Sequence, residues 1–333
     1  MSAVEVASRR NVPGERRGAV AWLRSDDFFR VLVTVCASLV LLLIAGMVVF
    51  LLVQGFDAMR HYGFLSFLSS TRWAPSEADA TQASPNPYGI LQFVYGTVLT
   101  SFLAMLIAVP VAVAVAVYIT NFAPTRLRRP LSSLVDLLAA VPSVVYGFWG
   151  VFALIPAIKP IGDFLAGTLG KVPVIGVAFS GPIFGYSYFT AGVVLAIMVL
   201  PIITAVCREI FLTTPVAWKE GAVALGATRW EMVKVAVLKP SRSGILGASI
   251  LGLGRAIGET IAVTMVIGNS VLTINKSIFS QGATMASVIA NEFTEATEPF
   301  HLSALFVVGF WLLVVALVVN IAARRIVAAQ AAL

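Results

Sequence analysis

The sequence predicts an all-α polytopic membrane protein of six transmembrane helices with both termini in the cytoplasm. Three observations carry that reading. The chain is 59% hydrophobic and 12% charged, its apolar residues gather into six long runs, and its Lys and Arg residues alternate between the connecting segments. A soluble domain carries about 45–50% apolar and about 25% charged residues. With a mean hydropathy of +0.94, this chain lacks the polar surface that water needs, which excludes soluble classes.

A bilayer core about 30 Å thick takes around 20 apolar residues in a helix. The runs Val31–Val53, Val94–Ile119, Leu131–Pro156, Tyr188–Val206, Ser243–Ile267 and Leu302–Ala323 meet that length. Backbone polar groups in lipid must be satisfied within the segment, so these are helices. A barrel would show short alternating segments, and none are present. The run Val172–Phe184 is short and interrupted by Pro173, Gly176, Gly181 and Pro182, so it reads as a re-entrant or extramembrane piece. The first run is too long for a signal peptide and has no small-residue cleavage site after it. These limits give a cytoplasmic tail over 1–30, a membrane domain over 31–323 and a second tail over 324–333.

Orientation follows from charge. The N-terminal tail, Asn121–Pro130, Cys207–Arg242 and the C-terminal tail hold 17 Lys and Arg, against 5 in the alternate segments. Positive residues collect on the cytoplasmic side, which places both termini there. The net charge of +7 is therefore membrane-flanking and not a nucleic-acid patch. Cys36 and Cys207 read as free thiols, His61 and His301 stand apart in polar connections, and no metal or catalytic constellation is visible. The outer segments Gln54–Gly89 and Ala157–Ser187 either cap the bundle or receive a partner through residues such as Trp73 or Tyr186.

Two stretches carry function. In the cytoplasmic segment between spans four and five, Pro215–Leu225 reads as a short amphipathic helix with Thr214 as N-cap and Gly226 as a left-handed stop. Val216, Val223 and the alanines form its docking side, with Lys219 and Glu220 near water. In span five, Arg255 lies at mid-membrane and Glu259 four residues on, so a continuous helix projects both from one face. Charge there is costly and persists along a polar pathway or in a pair. Two readings stay open: Arg255 and Glu259 neutralise each other structurally, or with the Thr260 hydroxyl they form a substrate site. A guanidinium makes bidentate bonds to phosphate oxygens, and a carboxylate accepts from a P–OH group that sulfate does not have.

Glu220, Ala222 and Gly226 match the EAA motif of ABC-importer permeases in spacing, with Gly221 replacing an alanine and Leu238-Lys239-Pro240 replacing an adjacent Leu-Pro. That resemblance implies the type I permease fold, with this helix seated in a cleft of an ATPase. Gly252–Asn269, together with Asp136–Gly147, resembles the PstC family, one of two permease families of the bacterial phosphate-specific ABC transporter. The resemblance runs from about Tyr95 to the C-terminus. It implies a multi-pass chain of the bacterial inner membrane that imports inorganic phosphate. It places Arg255 and Glu259 on the family's charged residues, with Ser143, Tyr146 and Asn269 as further pathway positions. It also implies a PstA-type permease as heterodimer partner, a PstB-type ATPase dimer and a PstS-type phosphate-binding protein outside. No Gly-x-x-x-x-Gly-Lys-Ser/Thr occurs, so ATP and Mg are expected on the partner ATPase and no cofactor on this chain. A permease for another oxyanion, molybdate or sulfate, is the alternative.

Overall fold

A computed structural model describes residues 26–75, 87–173, 176–181, 183–271 and 274–331. The described residues are almost entirely helical, with two isolated β-bridges and no strand. The chain divides after Val53 into two units. The first is represented by α1, Asp26–Gln54, an unbroken apolar helix none of whose residues is buried.

The second unit holds α2 (Phe56–Tyr62), α3 (Ser66–Ser69), α4 (Leu91–Phe122), α5 (Thr125–Ala140), α6 (Ser143–Lys171), α7 (Tyr188–Leu212), α8 (Val216–Ala224), α9 (Arg229–Met232), α10 (Arg242–Ile257), α11 (Ile261–Ile267), α12 (Met285–Glu292) and α13 (Pro299–Ala331). Among the described residues, α1, α4, α6, α7 and α13 are each long and apolar enough to cross a membrane. The pair α10–α11, bent by 66°, supplies a sixth crossing when counted as one broken span.

Packing centres on α4 and α7, with α10 and α11 laid against α7. Lipid tails are as apolar as leucine, so association here depends on close packing and interhelical hydrogen bonds. Ala104, Ala108, Ala112 and Ala116 recur every fourth residue along α4, each fully buried. A Cβ at Gly192 would lie 2.8 Å from Leu103 Cβ, and one at Gly252 would lie 2.7 Å from Ile203 Cδ1. Those approaches require glycine. Thr204 Oγ1 donates to the Ala112 carbonyl at 3.4 Å, tying α7 to α4. The Met285 N–H donates to Thr97 Oγ1 at 3.1 Å, tying α12 to α4.

Four expectations need correction. Span three does not begin at Leu131: α5 is a separate helix, the backbone turns extended at Val141-Pro142, and the crossing is α6. Proline disfavours helical geometry in the residue before it, which accounts for the turn. Span five is not continuous, because α10 stops at Ile257 and α11 restarts at Ile261. Trp73 is 4% exposed, so it is no docking side chain. Its indole donates to Glu292 Oε2 at 2.8 Å, and its ring packs edge-on against Tyr88 and Phe93. His301 also meets Glu292 Oε2, at 2.9 Å, and so is not isolated.

Candidate functional site: a broken span and a coupling helix

Gly252, Gly254 and Gly258 give the end of α10 low helix propensity, and the helix ends there with Arg255 in its last turn. A cation suits a helix C-terminus, where unpaired carbonyls carry partial negative charge. Within the break, Glu259 Oε1 accepts a long 3.5 Å hydrogen bond from the Ala262 N–H, meeting one open donor at the start of α11. Thr260 Oγ1 donates to the Gly258 carbonyl at 3.3 Å. Thr264 Oγ1 donates in turn to the Thr260 carbonyl at 2.8 Å.

Among the described residues Arg255 and Glu259 form no ion pair. Arg255 is exposed and lines a groove of about 1000 Å³ between α10 and α13, which also carries Asn320 and Arg324. Asn320 holds its place by donating to the Ala316 carbonyl at 2.8 Å. A Cβ on Gly254 would sit 4.0 Å from its amide. Sequence reasoning missed Asn320 and Arg324. A lone asparagine near the end of an apolar run was the available signal.

The first turn of α6 packs against α11: a Cβ on Gly147 would come within 2.6 Å of Met265 Sδ. Tyr146 lies within electrostatic reach of Arg255. Its hydroxyl, however, donates to the Leu138 carbonyl at 2.7 Å, clasping α5 to α6 across the Pro142 turn. Ser143 opens α6 and is half-buried. Asn269 stands apart from this group at the far end of α11, where the chain turns through Gly268 (φ +92°) and Asn269 (φ +47°). Its Nδ2 donates to the Thr264 carbonyl at 2.8 Å, while its buried Oδ1 has no partner among the described residues. Arg255, Glu259 and Thr260 thus stand together at the break between α10 and α11, whereas Asn269 lies past the other end of α11.

The second element is α8. Pro215 occupies its N-cap, with Thr214 one residue outside and no side-chain cap. At its other end the Ala227 N–H donates to the Ala222 carbonyl at 3.1 Å and the Gly226 N–H to the Val223 carbonyl at 2.9 Å. These two bonds are the Schellman pair, and Gly226 supplies the left-handed φ of +87° that they need. Glu220 is exposed and Ala222 half-buried. Val216, Trp218, Val223, Leu225 and Trp230 are all more than half exposed, with Leu225 at 91%. Burial, and then the neighbouring Arg128 charge, pulls the Lys219 ammonium below its ordinary value. An apolar patch of this kind outside the long helices marks a contact for another polypeptide.

The described residues thus hold a split helix pair, α10–α11, beside a groove that carries Arg255, and earlier in the chain a short helix, α8, with an exposed apolar face. The chain belongs to the family of binding-protein-dependent transport system inner membrane components, whose model matches residues 108–330. Such a subunit works with a binding protein and an ATPase, and it is not itself the enzyme.

Two relatives narrow the class. The phosphate transport system permease protein PstC of Xylella fastidiosa strain 9a5c is 43% identical over 97% of this chain and 96% of its own. PstC 2 of Mycobacterium tuberculosis H37Rv is 40% identical over 91% and 92% respectively. Among solved structures, an inward-facing MetNI methionine ABC transporter matches 72% of this chain and 94% of its own, at 19% identity and a TM-score of 0.49.

Proposed function

We infer that this chain is one of two permease subunits of an ATP-driven importer of inorganic phosphate in the bacterial inner membrane, with both termini cytoplasmic. The observation that carries the reading is Arg255: a guanidinium in the last turn before a helix break, without an ion-pair partner among the described residues and open to a groove. The name borne by relatives over nearly the whole chain is consistent with a phosphate substrate. A planar guanidinium binds phosphate oxygens bidentately, and the nearby Glu259 accepts from a protonated phosphate while repelling a fully ionised oxyanion. In this reading a PstA-type chain supplies the other half of the pathway. A PstS-type protein delivers phosphate from outside, and a PstB-type ATPase dimer, carrying ATP and Mg, engages α8.

The test is uptake of radiolabelled phosphate by proteoliposomes holding the assembled transporter, binding protein and ATP, with sulfate and molybdate as competitors. Phosphate uptake that needs ATP and resists both competitors is the expected result. Uptake of sulfate or molybdate in preference to phosphate would reject the substrate assignment.

A further inference from the structure

At the end of α7 that leads toward α8, the chain forms a cleft of about 390 Å³ whose lining includes Arg128, Arg129, Ser132, Ser133, Arg208, Glu209 and Leu212. The acidic groups beside it address only one of the three arginines. Arg208 Nη1 lies 3.5 Å from Asp136 Oδ1, and Arg208 Nη2 lies 3.1 Å from Glu209 Oε1. Even so, the buried Arg208 Nη1 donates no hydrogen bond among the described residues. Arg128 Nε donates to the Ala123 carbonyl at 3.0 Å, which fixes its guanidinium at the rim. Arg129 has no ion-pair partner among the described residues.

The helix carrying two of these arginines is built for a membrane surface. Its first turn is basic, only Val135 is buried, and Leu134, Leu137 and Leu138 are 54%, 67% and 40% exposed. A basic turn followed by an exposed apolar stripe is the pattern of a helix lying in the headgroup boundary. Leu212, on the cleft wall, is also exposed.

We propose that this cleft binds the phosphodiester headgroup of an anionic phospholipid of the cytoplasmic leaflet. Arg128, Arg129 and Arg208 hold the phosphate oxygens, Ser132 and Ser133 donate hydroxyl hydrogen bonds, and the acyl chains run along Leu212 and the leucines of α5. Guanidinium groups and hydroxyls are the donors a phosphate group takes, and basic clefts between helices on the cytoplasmic side are suited to anionic headgroups. The exposed leucines favour a lipid over free phosphate, which has no use for them. The assignment rests on the cytoplasmic orientation given above.

The assembled transporter, delipidated in detergent and then offered phosphatidylglycerol and phosphatidylcholine together, is read by native mass spectrometry for retained lipid. Phosphatidylglycerol should be retained about tenfold over phosphatidylcholine. Arg128→Gln with Arg129→Gln should abolish that preference. Ser133→Trp, which fills the cleft and leaves the charges intact, should do the same. Equal retention by the unmodified and altered proteins would overturn the proposal. So would displacement of the lipid by inorganic phosphate alone, which assigns the cleft to the free anion. Loss of the ATPase with lipid retention unchanged also overturns it, assigning the arginines to a protein contact. Retention is read without any transport, so it does not depend on the substrate assignment. Labelling of Arg126→Cys in vesicles of known sidedness tests the orientation separately, and labelling from the outer side only would remove the proposal.

Discussion

Arg255 is exposed and unpaired, and that separates two consequences of changing it. Removing one partner of a buried ion pair costs about 3–5 kcal/mol, whereas an exposed side chain without such a partner costs within about 0.5 kcal/mol. Arg255→Lys and Glu259→Gln are therefore expected to assemble and melt near the unmodified protein. Arg255→Lys, having lost the planar fork, should lower phosphate uptake about tenfold or more. A large drop in melting temperature for either variant would restore the structural-pair reading. Glu259→Gln should lose discrimination against sulfate more than total anion flux, measured by competition. Another acid has a different role. Two hydrogen bonds from Thr228, side chain first and then backbone, hold the exposed Glu231 carboxyl below its usual value. Its stabilising effect is present at neutral pH and is lost as pH falls through that lowered value. Amide protection in Thr228–Met232, taken relative to the intrinsic exchange rate at each pH, should fall with acidification in the unmodified chain and already be low at neutral pH in Glu231→Gln.

At the scale of elements, α8 offers the sharpest test because one dihedral ends it. Valine at Gly226 would have to adopt a left-handed conformation, costing roughly 1–2 kcal/mol, and the two bonds from Gly226 and Ala227 would open. Gly226→Val is thus expected to insert normally while ATP hydrolysis no longer responds to substrate-loaded binding protein. Normal uptake with normal ATPase stimulation would count decisively against the coupling role. This stop was legible in the sequence, since a glycine after a proline-initiated run has few other uses. The broken span was not. Ser243–Ile267 is mostly apolar, with Arg255 and Glu259 its only charged residues, so hydropathy sees one helix. The glycines that weaken it at 252–258 also read as packing residues, and Gly252 does pack against Ile203. Composition likewise merged part of α5 with α6, although Pro142 marked the turn. Trp73 was misplaced for a different reason: its burial depends on Glu292, more than 200 residues away. Contacts at that range leave no local signature.

For the molecule as a whole, the groove carrying Arg255 is open rather than enclosed by the described residues that line it. Leu251, Leu317 and Ile321 border the same groove as Arg255, Asn320 and Arg324, and these three apolar side chains are 56%, 60% and 44% exposed. An apolar groove that carries two arginines and an asparagine requires a second wall, which lipid tails do not supply to an arginine. The expected wall is the other permease chain, meeting this one along α10 and α13. Leu251→Cys tests that arrangement in a background where Cys36, which is exposed, is replaced; Cys207 is buried and is left alone. In the isolated detergent-solubilised chain a methanethiosulfonate reagent should modify Cys at this position rapidly. In the assembled transporter the rate should fall about tenfold or more, since interface cores exclude solvent much as protein interiors do. Phe152→Cys, on α6 and 72% exposed, provides a second position for comparison. Equal modification of Leu251→Cys in both preparations would mean that the groove faces lipid or open water, and the second wall would have to be sought elsewhere.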